Sequence, residues 1–194
     1  MCDSHACPLR GVRTKLVFGA GNADADLLFV GEAPGASEDQ QGLPFVGRAG
    51  KLLDQLLEEV GLERGDVFIT NVLKCRPPGN RDPLPDEIDI CGPYLYRQIE
   101  LIEPKVICTL GNFATKLLTG RPEGITKVHG RPQEREVAGR VVLLYPLFHP
   151  AAALRTDSVR ELLREDIAKL PALLAEHTEE EAESGEAEQM DLFK

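Results

Sequence analysis

Four cysteines in two separated pairs are the residues of this chain whose type and spacing most directly suggest chemistry. Cys2 and Cys7 lie at the N-terminus, and Cys75 and Cys91 lie far along the sequence. Thiolates that a fold brings together form a soft four-sulfur site, which suits an iron–sulfur cluster or a zinc ion. Disulfides are not expected, because the sequence shows no signal peptide, no long apolar span and no dense cysteine framework. We therefore expect a metal site and a reducing, cytoplasmic location.

Two polar loops and one histidine are further candidates for a functional site. The apolar run 27–30 leads into a loop rich in glycine and proline that carries Glu32, Glu38 and Asp39. This loop could gather carboxylates around a ligand, or it could be a turn with solvated acids. The run 67–70 leads into Asn71 and then into a basic loop with Lys74, Arg76 and Arg81, which suits either phosphate contacts or an ordinary solvated surface. His149 follows another apolar run, and a lone histidine is usually structural unless other polar groups converge on it.

Short apolar runs alternate along the chain with apolar residues at helical spacing. The runs predict strands over 27–30, 67–70 and 106–110, with the fifth cysteine, Cys108, as a core residue of the last. Helical spacing predicts helices over about 52–60, 88–102, 112–118 and 159–170, whereas 125–147 alternates like strands. This order indicates an α/β fold with a mostly parallel sheet that helices cover on both faces. Ligands of such folds bind beyond the carboxyl ends of the strands.

Composition fits one globular domain and leaves a nucleic-acid partner open. The chain has 194 residues, of which 42% are hydrophobic. Its net charge of -10 argues at first against binding to phosphates. Residues 176–194 carry -7 of this charge, which leaves only -3 for residues 1–175. A basic face on the body of the protein is therefore possible.

Several motifs together resemble those of the family 4 uracil-DNA glycosylases. They are Gly-Glu-Ala-Pro-Gly at 31–35, Pro-Phe-Val-Gly at 44–47, Thr-Asn-Val-Leu-Lys-Cys-Arg-Pro-Pro-Gly-Asn-Arg at 70–81, Cys91, and Phe-His-Pro-Ala at 148–151. The resemblance covers roughly residues 7–155. It implies an enzyme that excises uracil from DNA in base excision repair, a three-layer α/β/α sandwich, and a structural [4Fe-4S] cluster held by four cysteines. We expect the protein to be a monomer.

The spacing of the first cysteine pair departs from this family. Its members usually begin with Cys-x-x-Cys, whereas position 4 here is Ser4. A flexible N-terminus could bring a wider pair to the same iron. We therefore expect Cys2, Cys7, Cys75 and Cys91 as ligands, with His5 as a weaker substitute.

The resemblance also assigns roles around a flipped uracil. Phe45 resembles the stacking platform, and Glu32 and Ala33 resemble residues that line the uracil pocket. Asn71 offers a carboxamide to the polar edge of the base. His149 would donate to uracil O2 and stabilise the developing anion. Core packing and capping are the structural alternatives for Phe45 and Asn71.

Further residues are assigned to water activation and DNA binding. Glu38 is the candidate for orienting or activating water, with Asn80 as its hydrogen-bond partner. Leu154 resembles an apolar wedge in the minor groove, although plain helix packing is an equal alternative, and Arg155 resembles a phosphate contact. Arg76 and Arg81 are expected to contact DNA as well.

The C-terminus suggests a separate partner. Residues 176–194 are expected to be a disordered acidic tail beyond a glycosylase domain over 1–175. The tail ends in a segment similar to the peptide by which bacterial proteins dock on the DNA sliding clamp, with Gln189, Leu192 and Phe193 as its anchors.

Other classes of protein stay open at this stage. One is a relative that crosslinks to uracil-DNA, although the basic histidine-bearing insertion of such proteins is missing between Cys75 and Cys91. Another is a mismatch-directed relative, against which Glu32 argues. A third is a zinc-stabilised α/β module that binds a nucleotide or nucleic acid without glycosylase activity.

Overall fold

A computed structural model of the protein describes residues 7–176. The strands in this part of the chain are β1 (Ala20–Gly21), β2 (Leu27–Gly31), β3 (Val67–Asn71), β4 (Val106–Leu110), β5 (Gln133–Val137) and β6 (Arg140–Leu147). The helices are α1 (Ala36–Gln41), α2 (Arg48–Glu58), α3 (Pro85–Ile102), α4 (Asn112–Thr119), α5 (Ile125–Val128), α6 (Pro150–Ala153) and α7 (Asp157–Ile167), and a short 3-10 helix spans Pro78–Asn80.

The strands form one sheet in the order β1-β3-β2-β4-β6-β5. The four central strands β3, β2, β4 and β6 are parallel, and the two edge strands pair antiparallel. Strands β2, β3 and β4 are buried along their whole length, as continuous apolar runs in a parallel sheet should be. The prediction of a mostly parallel sheet is therefore confirmed.

Helices cover both faces of the sheet, which makes the fold a three-layer α/β/α sandwich. Side chains of β2 alternate between the faces, so Leu27 and Phe29 join one core cluster while Leu28 and Val30 join another. The first cluster contains buried residues of α2 and α7, and the second contains buried residues of α3 and α4. This confirms the predicted fold class.

Two segments differ from their sequence prediction. The loop expected after β2 contains helix α1, so Glu38 and Asp39 lie on a helix, where buried Asp39 accepts a hydrogen bond from Thr14 N at 2.8 Å. The segment expected to begin as a strand at 125 begins instead as helix α5. The first N–H group of this helix, that of Ile125, donates to Asn112 Oδ1 at 2.9 Å. Within the described part of the chain, no helix is long and apolar enough to cross a membrane.

Candidate active site

A cavity of about 480 Å³ opens at the carboxyl ends of strands β2, β3 and β6. Most of the site residues predicted from the sequence line it, namely Glu32, Ala33, Glu38, Phe45, Asn71, Asn80, Arg81, His149 and Arg155. They come from five separate segments of the chain. They meet because the carboxyl ends of parallel strands share one edge of the sheet. Arg76 and Leu154 do not line this cavity.

Phe45 is held in a conformation that few non-glycine residues adopt. Its φ is 51°, in the left-handed region. Arg64 Nη2 donates to the carbonyl oxygens of Pro44 and Phe45 at 2.9 and 2.8 Å, which fixes the backbone of this turn. A Cβ at Gly50 would overlap the Phe45 carbonyl, so a glycine is needed for the close approach of α2. The strained turn places a buried aromatic ring in the wall of the cavity.

Asn71 ends strand β3 and presents an unsatisfied polar atom. The residue is only 2% exposed, and its Oδ1 is buried with no hydrogen-bond donor among residues 7–176. A Cβ at Gly31 would overlap both this oxygen and the Phe45 ring, so Gly31 makes room for the two side chains together. Buried acceptors are normally paired, and an orphaned one in a cavity wall is suited to a ligand that supplies a donor.

Lys74 supports Asn71 from the interior of the protein. Its side chain is fully buried, and Nζ donates to Asn71 O at 2.7 Å, Thr70 Oγ1 at 2.7 Å and Gln98 Oε1 at 2.6 Å. The prediction of Lys74 as a phosphate contact or a solvated surface residue is therefore wrong. Its aliphatic stem packs inward and neutral oxygens surround the ammonium group. Lys74 is a positioning residue that the sequence analysis missed, and no local sequence signal distinguishes it from a surface lysine.

The carboxylate of Glu38 is fixed by the backbone of the turn that carries Phe45. Glu38 Oε1 accepts from Val46 N at 3.0 Å and from Gly47 N at 2.8 Å. The predicted hydrogen bond between Glu38 and Asn80 is not among the hydrogen bonds of the described residues. Asn80 Oδ1 instead accepts from Arg76 Nε at 2.7 Å. Both side chains still line the cavity, so each can contact a ligand.

His149 is a neutral hydrogen-bond donor by virtue of its surroundings. It caps helix α6, where its Nδ1 accepts the Ala151 N–H at 3.1 Å. Burial lowers the pKa of the imidazole to about 4, against the opposing effect of the Glu38 charge. Because Nδ1 is an acceptor in a neutral ring, the proton lies on Nε2. The ring also stacks on Phe45, with the two ring centroids 5.6 Å apart.

Glu32 and Arg81 are two charged residues of the cavity wall, and neighbouring groups affect each of them differently. Burial raises the pKa of Glu32, and the charge of Asp82 raises it further. The Arg81 guanidinium donates to both oxygens of buried Glu87, which also accepts from Leu84 N at the start of α3. The hydrogen bond from Arg81 lowers the pKa of Glu87. Arg81 thus ties the loop that carries Asn80 to helix α3.

Leu154 and Arg155 follow helix α6 at the rim of the cavity. Arg155 is exposed and lines the cavity, as a phosphate contact would require. Leu154 is partly buried and packs against the first core cluster. This contact corresponds to helix packing, which was the alternative to a minor-groove wedge for Leu154.

Three of the predicted cluster ligands lie in one part of the core. Cys7, Cys75 and Cys91 are buried in the second core cluster, and Arg13 Nη1 donates to Cys75 Sγ at 3.1 Å. Between residues 7 and 176, no group of three or more His, Cys, Asp or Glu side chains is arranged so that it could hold a metal ion. Cys2 and the substitute ligand His5 lie outside the described residues. Soft sulfur donors buried together beside a cation fit the chemistry of an iron–sulfur cluster.

Cys108 is separated from those three cysteines by the sheet. It is fully buried in strand β4 and belongs to the first core cluster, on the opposite face. Burial raises the pKa of its thiol well above the ordinary value. The prediction of Cys108 as a strand core residue is confirmed.

Gln189, Leu192 and Phe193, and with them all but the first residue of the predicted tail, lie outside the described residues.

Comparison with known proteins agrees with this geometry. Residues 18–170 match the family described as the Uracil DNA glycosylase superfamily. A Type-4 uracil-DNA glycosylase of Sulfurisphaera tokodaii is 49% identical over 172 residues, which cover 86% of this chain and 78% of the relative. A Type-4 uracil-DNA glycosylase of Saccharolobus solfataricus is 49% identical, over 87% of this chain and 81% of the relative. One of Thermotoga maritima is 48% identical, over 87% of this chain and 88% of the relative. The chain therefore belongs to the uracil DNA glycosylase superfamily, and within it to the type-4 family.

Proposed function

We propose that this protein is a uracil-DNA glycosylase that takes a flipped uracil into the cavity at the carboxyl ends of the strands and hydrolyses its N-glycosidic bond. The product is an abasic site, with which base excision repair begins. The type-4 relatives support this activity. The observation that carries the assignment to the cavity is the buried, unpaired Asn71 Oδ1 beside the Phe45 and His149 rings.

Recognition of the base uses the wall residues that the fold holds rigid. A base in a duplex must leave the stack before an enzyme reaches its glycosidic bond. Phe45 stacks on the extruded ring, and Asn71 Oδ1 accepts from uracil N3–H while its amide group donates to O4. Lys74 keeps the Asn71 backbone in place. Glu32 and Ala33 complete the pocket around the base.

Bond cleavage places negative charge on the base and positive charge on the sugar. The C1′–N1 bond breaks, and its electron pair stays with uracil as an anion delocalised onto O2. The Nε2–H of neutral His149 donates to O2 and stabilises that charge. The carboxylate of Glu38 faces the cationic sugar and orients the water whose oxygen bonds to C1′. The proton that this water loses passes to the Glu38 carboxylate. The Asn80 amide group is a second contact for this water or for the sugar.

DNA contacts outside the pocket come from the rim. Arg155 and Arg76 contact phosphates, and Leu154 fills space next to the flipped nucleotide. Arg81 contributes mainly by holding its loop, because its guanidinium is bound to Glu87. Phosphate contacts position the strand without reading its sequence.

A uracil-containing oligonucleotide tests the activity directly. Incubation with the purified protein, without added metal or nucleotide, should leave an abasic site that alkali cleaves at the uracil position. The same oligonucleotide with thymine in place of uracil is the control and should stay intact. No cleavage by protein that contains its cluster would overturn the enzyme assignment and favour a non-catalytic binding module.

We propose further that Cys2, Cys7, Cys75 and Cys91 hold a [4Fe-4S] cluster. We assign the cluster a structural role because Cys7, Cys75 and Cys91 lie in the second core cluster and do not line the active-site cavity. The first pair of this ligand set has Cys-x4-Cys spacing. Arg13 is placed to stabilise the thiolate of Cys75.

Cysteine variants should separate the cluster ligands from the remaining cysteine. Cys75→Ala and Cys91→Ala should lose the brown absorption near ~400 nm and most of the folded protein, because metal binding is coupled to folding. Cys2→Ala should behave in the same way, whereas Cys108→Ala, the matched control, should keep its colour. A stable, fully coloured Cys2→Ala protein would point to His5 or an outside ligand. A colourless wild-type protein that contains zinc would overturn the cluster.

The domain organisation and the remaining partners are proposals of the same kind. Residues 1–175 form the glycosylase domain, which acts as a monomer. Residues 176–194 form an acidic tail whose end docks on a bacterial sliding clamp through Gln189, Leu192 and Phe193.

Deletion of residues 176–194 should leave excision on short oligonucleotides nearly unchanged and abolish clamp binding. The tail charges are expected to be screened from the active site, since exposed charges more than about 10 Å apart interact weakly at ~0.1 M salt. Clamp binding is measured by surface plasmon resonance. Equal affinity of the full-length protein and a Leu192→Ala, Phe193→Ala double variant would refute the docking peptide and leave the glycosylase assignment intact.

A further inference from the structure

A second cavity of about 260 Å³ lies between helices α2 and α7, directly beside the active-site cavity. Its wall includes Arg48, Lys51, Leu154, Arg160 and Arg164, and this surface is called the basic groove below. At two places in the sequence, consecutive residues line the two different cavities. Ala49 and Arg155 line the active-site cavity, and their neighbours Arg48 and Leu154 line the basic groove.

The charge of the basic groove is only partly compensated by the protein. Arg48 and Lys51 are exposed and form no ion pair with any residue between 7 and 176. Arg160 Nε is buried and has no acceptor within the same residues. Arg164 is the exception, because it binds the carboxylates of Glu59 and Glu161. No carboxylate of the described residues lines the groove.

Such a surface is suited to an anion of extended shape. A buried guanidinium N–H without an acceptor is costly unless a ligand supplies one. Arg48 and Lys51 are three residues apart on α2 and therefore lie side by side on one face of the helix. Leu154 is partly buried and also lines the groove, where it offers an apolar surface to a sugar ring. The chain as a whole is acidic, so a basic surface whose charge is only partly compensated is notable next to the active site.

We propose that the basic groove binds the sugar-phosphate backbone of the uracil-bearing strand on one side of the flipped nucleotide. This inference rests on the proposed function, because it extends the path of the strand beyond the active-site cavity. Arg48 and Lys51 contact successive phosphates, and Arg160 supplies its unpaired N–H to one of them. Arg164 remains bound to its carboxylates and positions the groove wall.

The salt dependence of DNA binding tests the groove without involving catalysis. The probe is a fluorescent, uracil-free single-stranded oligonucleotide, and its affinity is measured by anisotropy at several salt concentrations. For an Arg48→Ala, Lys51→Ala variant, the slope of log affinity against log salt should become shallower by about 1.4, since each phosphate contact in a single strand contributes about 0.7. Affinity at low salt should fall roughly 10-fold. Arg160→Gln should change both quantities in the same direction.

A charge-matched control lies at the opposite edge of the sheet. Lys105 and Arg140 stand at the amino ends of β4 and β6, where they pair with Asp26 and Glu103. A Lys105→Ala, Arg140→Ala variant removes the same net charge and should keep the wild-type slope. An unchanged slope for the Arg48→Ala, Lys51→Ala variant, or an equal change in the control, would overturn the proposal.

Oligonucleotides with uracil near one end or the other test whether the basic groove binds the strand on only one side of the flipped nucleotide. In one oligonucleotide the uracil lies near the 5′ end, and in another it lies near the 3′ end. The Arg48→Ala, Lys51→Ala variant should be impaired on only one of them, and equal impairment on both would contradict a one-sided track. If the wild-type protein excises uracil but the variants bind DNA as tightly as the wild type, the proposed role of the basic groove fails and the proposed function stands. If the wild-type protein excises no uracil, the proposed function itself fails.

Discussion

Replacement of His149 by leucine should lower the single-turnover rate of uracil excision by about 10²- to 10³-fold. The imidazole lies in the cavity wall, and its Nε2 carries the proton because Nδ1 accepts the Ala151 N–H. Leucine fills the volume but donates nothing to the developing uracil anion. The rate is measured with enzyme in excess over a uracil-containing oligonucleotide, so that product release does not contribute.

The ionisation of His149 provides a second readout of the same role. Burial lowers its pKa to about 4, so the ring is neutral from about pH 5 upwards. The His149-dependent part of the rate should therefore show no inflection near pH 6.5, and NMR of the ring should report a neutral imidazole there. A His149→Gln variant, which keeps a donor, should recover part of the rate. Full activity of His149→Leu would show that the anion is stabilised by another group.

Replacement of Asn71 by alanine should reduce excision by about 10²-fold while it leaves binding to uracil-free DNA nearly unchanged. Hydrogen bonds of this kind are worth up to about 3 kcal/mol when their loss leaves a buried partner unsatisfied, and 1.4 kcal/mol is tenfold in rate. In the proposed site Asn71 contacts the base and not the phosphates, so the two measurements should separate. Phe45→Ala should act in the same sense through lost stacking.

The isosteric variant Asn71→Asp serves as the matched control. It keeps an acceptor at the cavity wall but loses the amide donor to O4, so it should also be impaired without any change in volume. Normal excision by both Asn71→Ala and Phe45→Ala would mean that the uracil pocket lies elsewhere on the protein. Equal losses in excision and in binding to uracil-free DNA would indicate a general defect in folding or DNA contact.

The sheet and the location of the site could be predicted because both follow from local patterns. Strands buried on both faces have continuous apolar sequences, as the run that contains Cys108 shows. Polar residues that directly follow such runs, such as Asn71 and His149, must meet at one edge of a parallel sheet. The prediction from the sequence therefore brought together most residues that line the cavity.

Side-chain partners could not be predicted, because they depend on contacts between distant segments. Lys74 has the sequence context of a surface lysine, yet Gln98 on α3 provides one of the acceptors that bury it. Arg64 fixes the Phe45 turn from 19 residues away along the chain. Glu38 is bound by backbone N–H groups of that turn and not by Asn80. Each of these contacts exists only after the layers have packed.

The basic groove illustrates the same limit. Arg48 and Arg160 are more than a hundred positions apart in the sequence, and their helices α2 and α7 come into contact only in the folded chain. Neither residue lies in the segments 31–35, 44–47, 70–81 and 148–151 that carry the resemblance to the family. Their common surface exists only in the folded chain, where both line one cavity.

The most direct test of the account is the ratio of excision rates for uracil and cytosine at the same position of one oligonucleotide. Uracil presents N3–H to the unpaired Asn71 Oδ1, whereas cytosine presents an acceptor at N3, which leaves that buried oxygen unsatisfied and opposed by another acceptor. A site built around such a hydrogen bond discriminates by about 10⁴-fold or more. We expect the wild-type protein to release uracil and to leave cytosine in place at this level. Excision of cytosine at a rate comparable to that of uracil would contradict the reading of the base by Asn71.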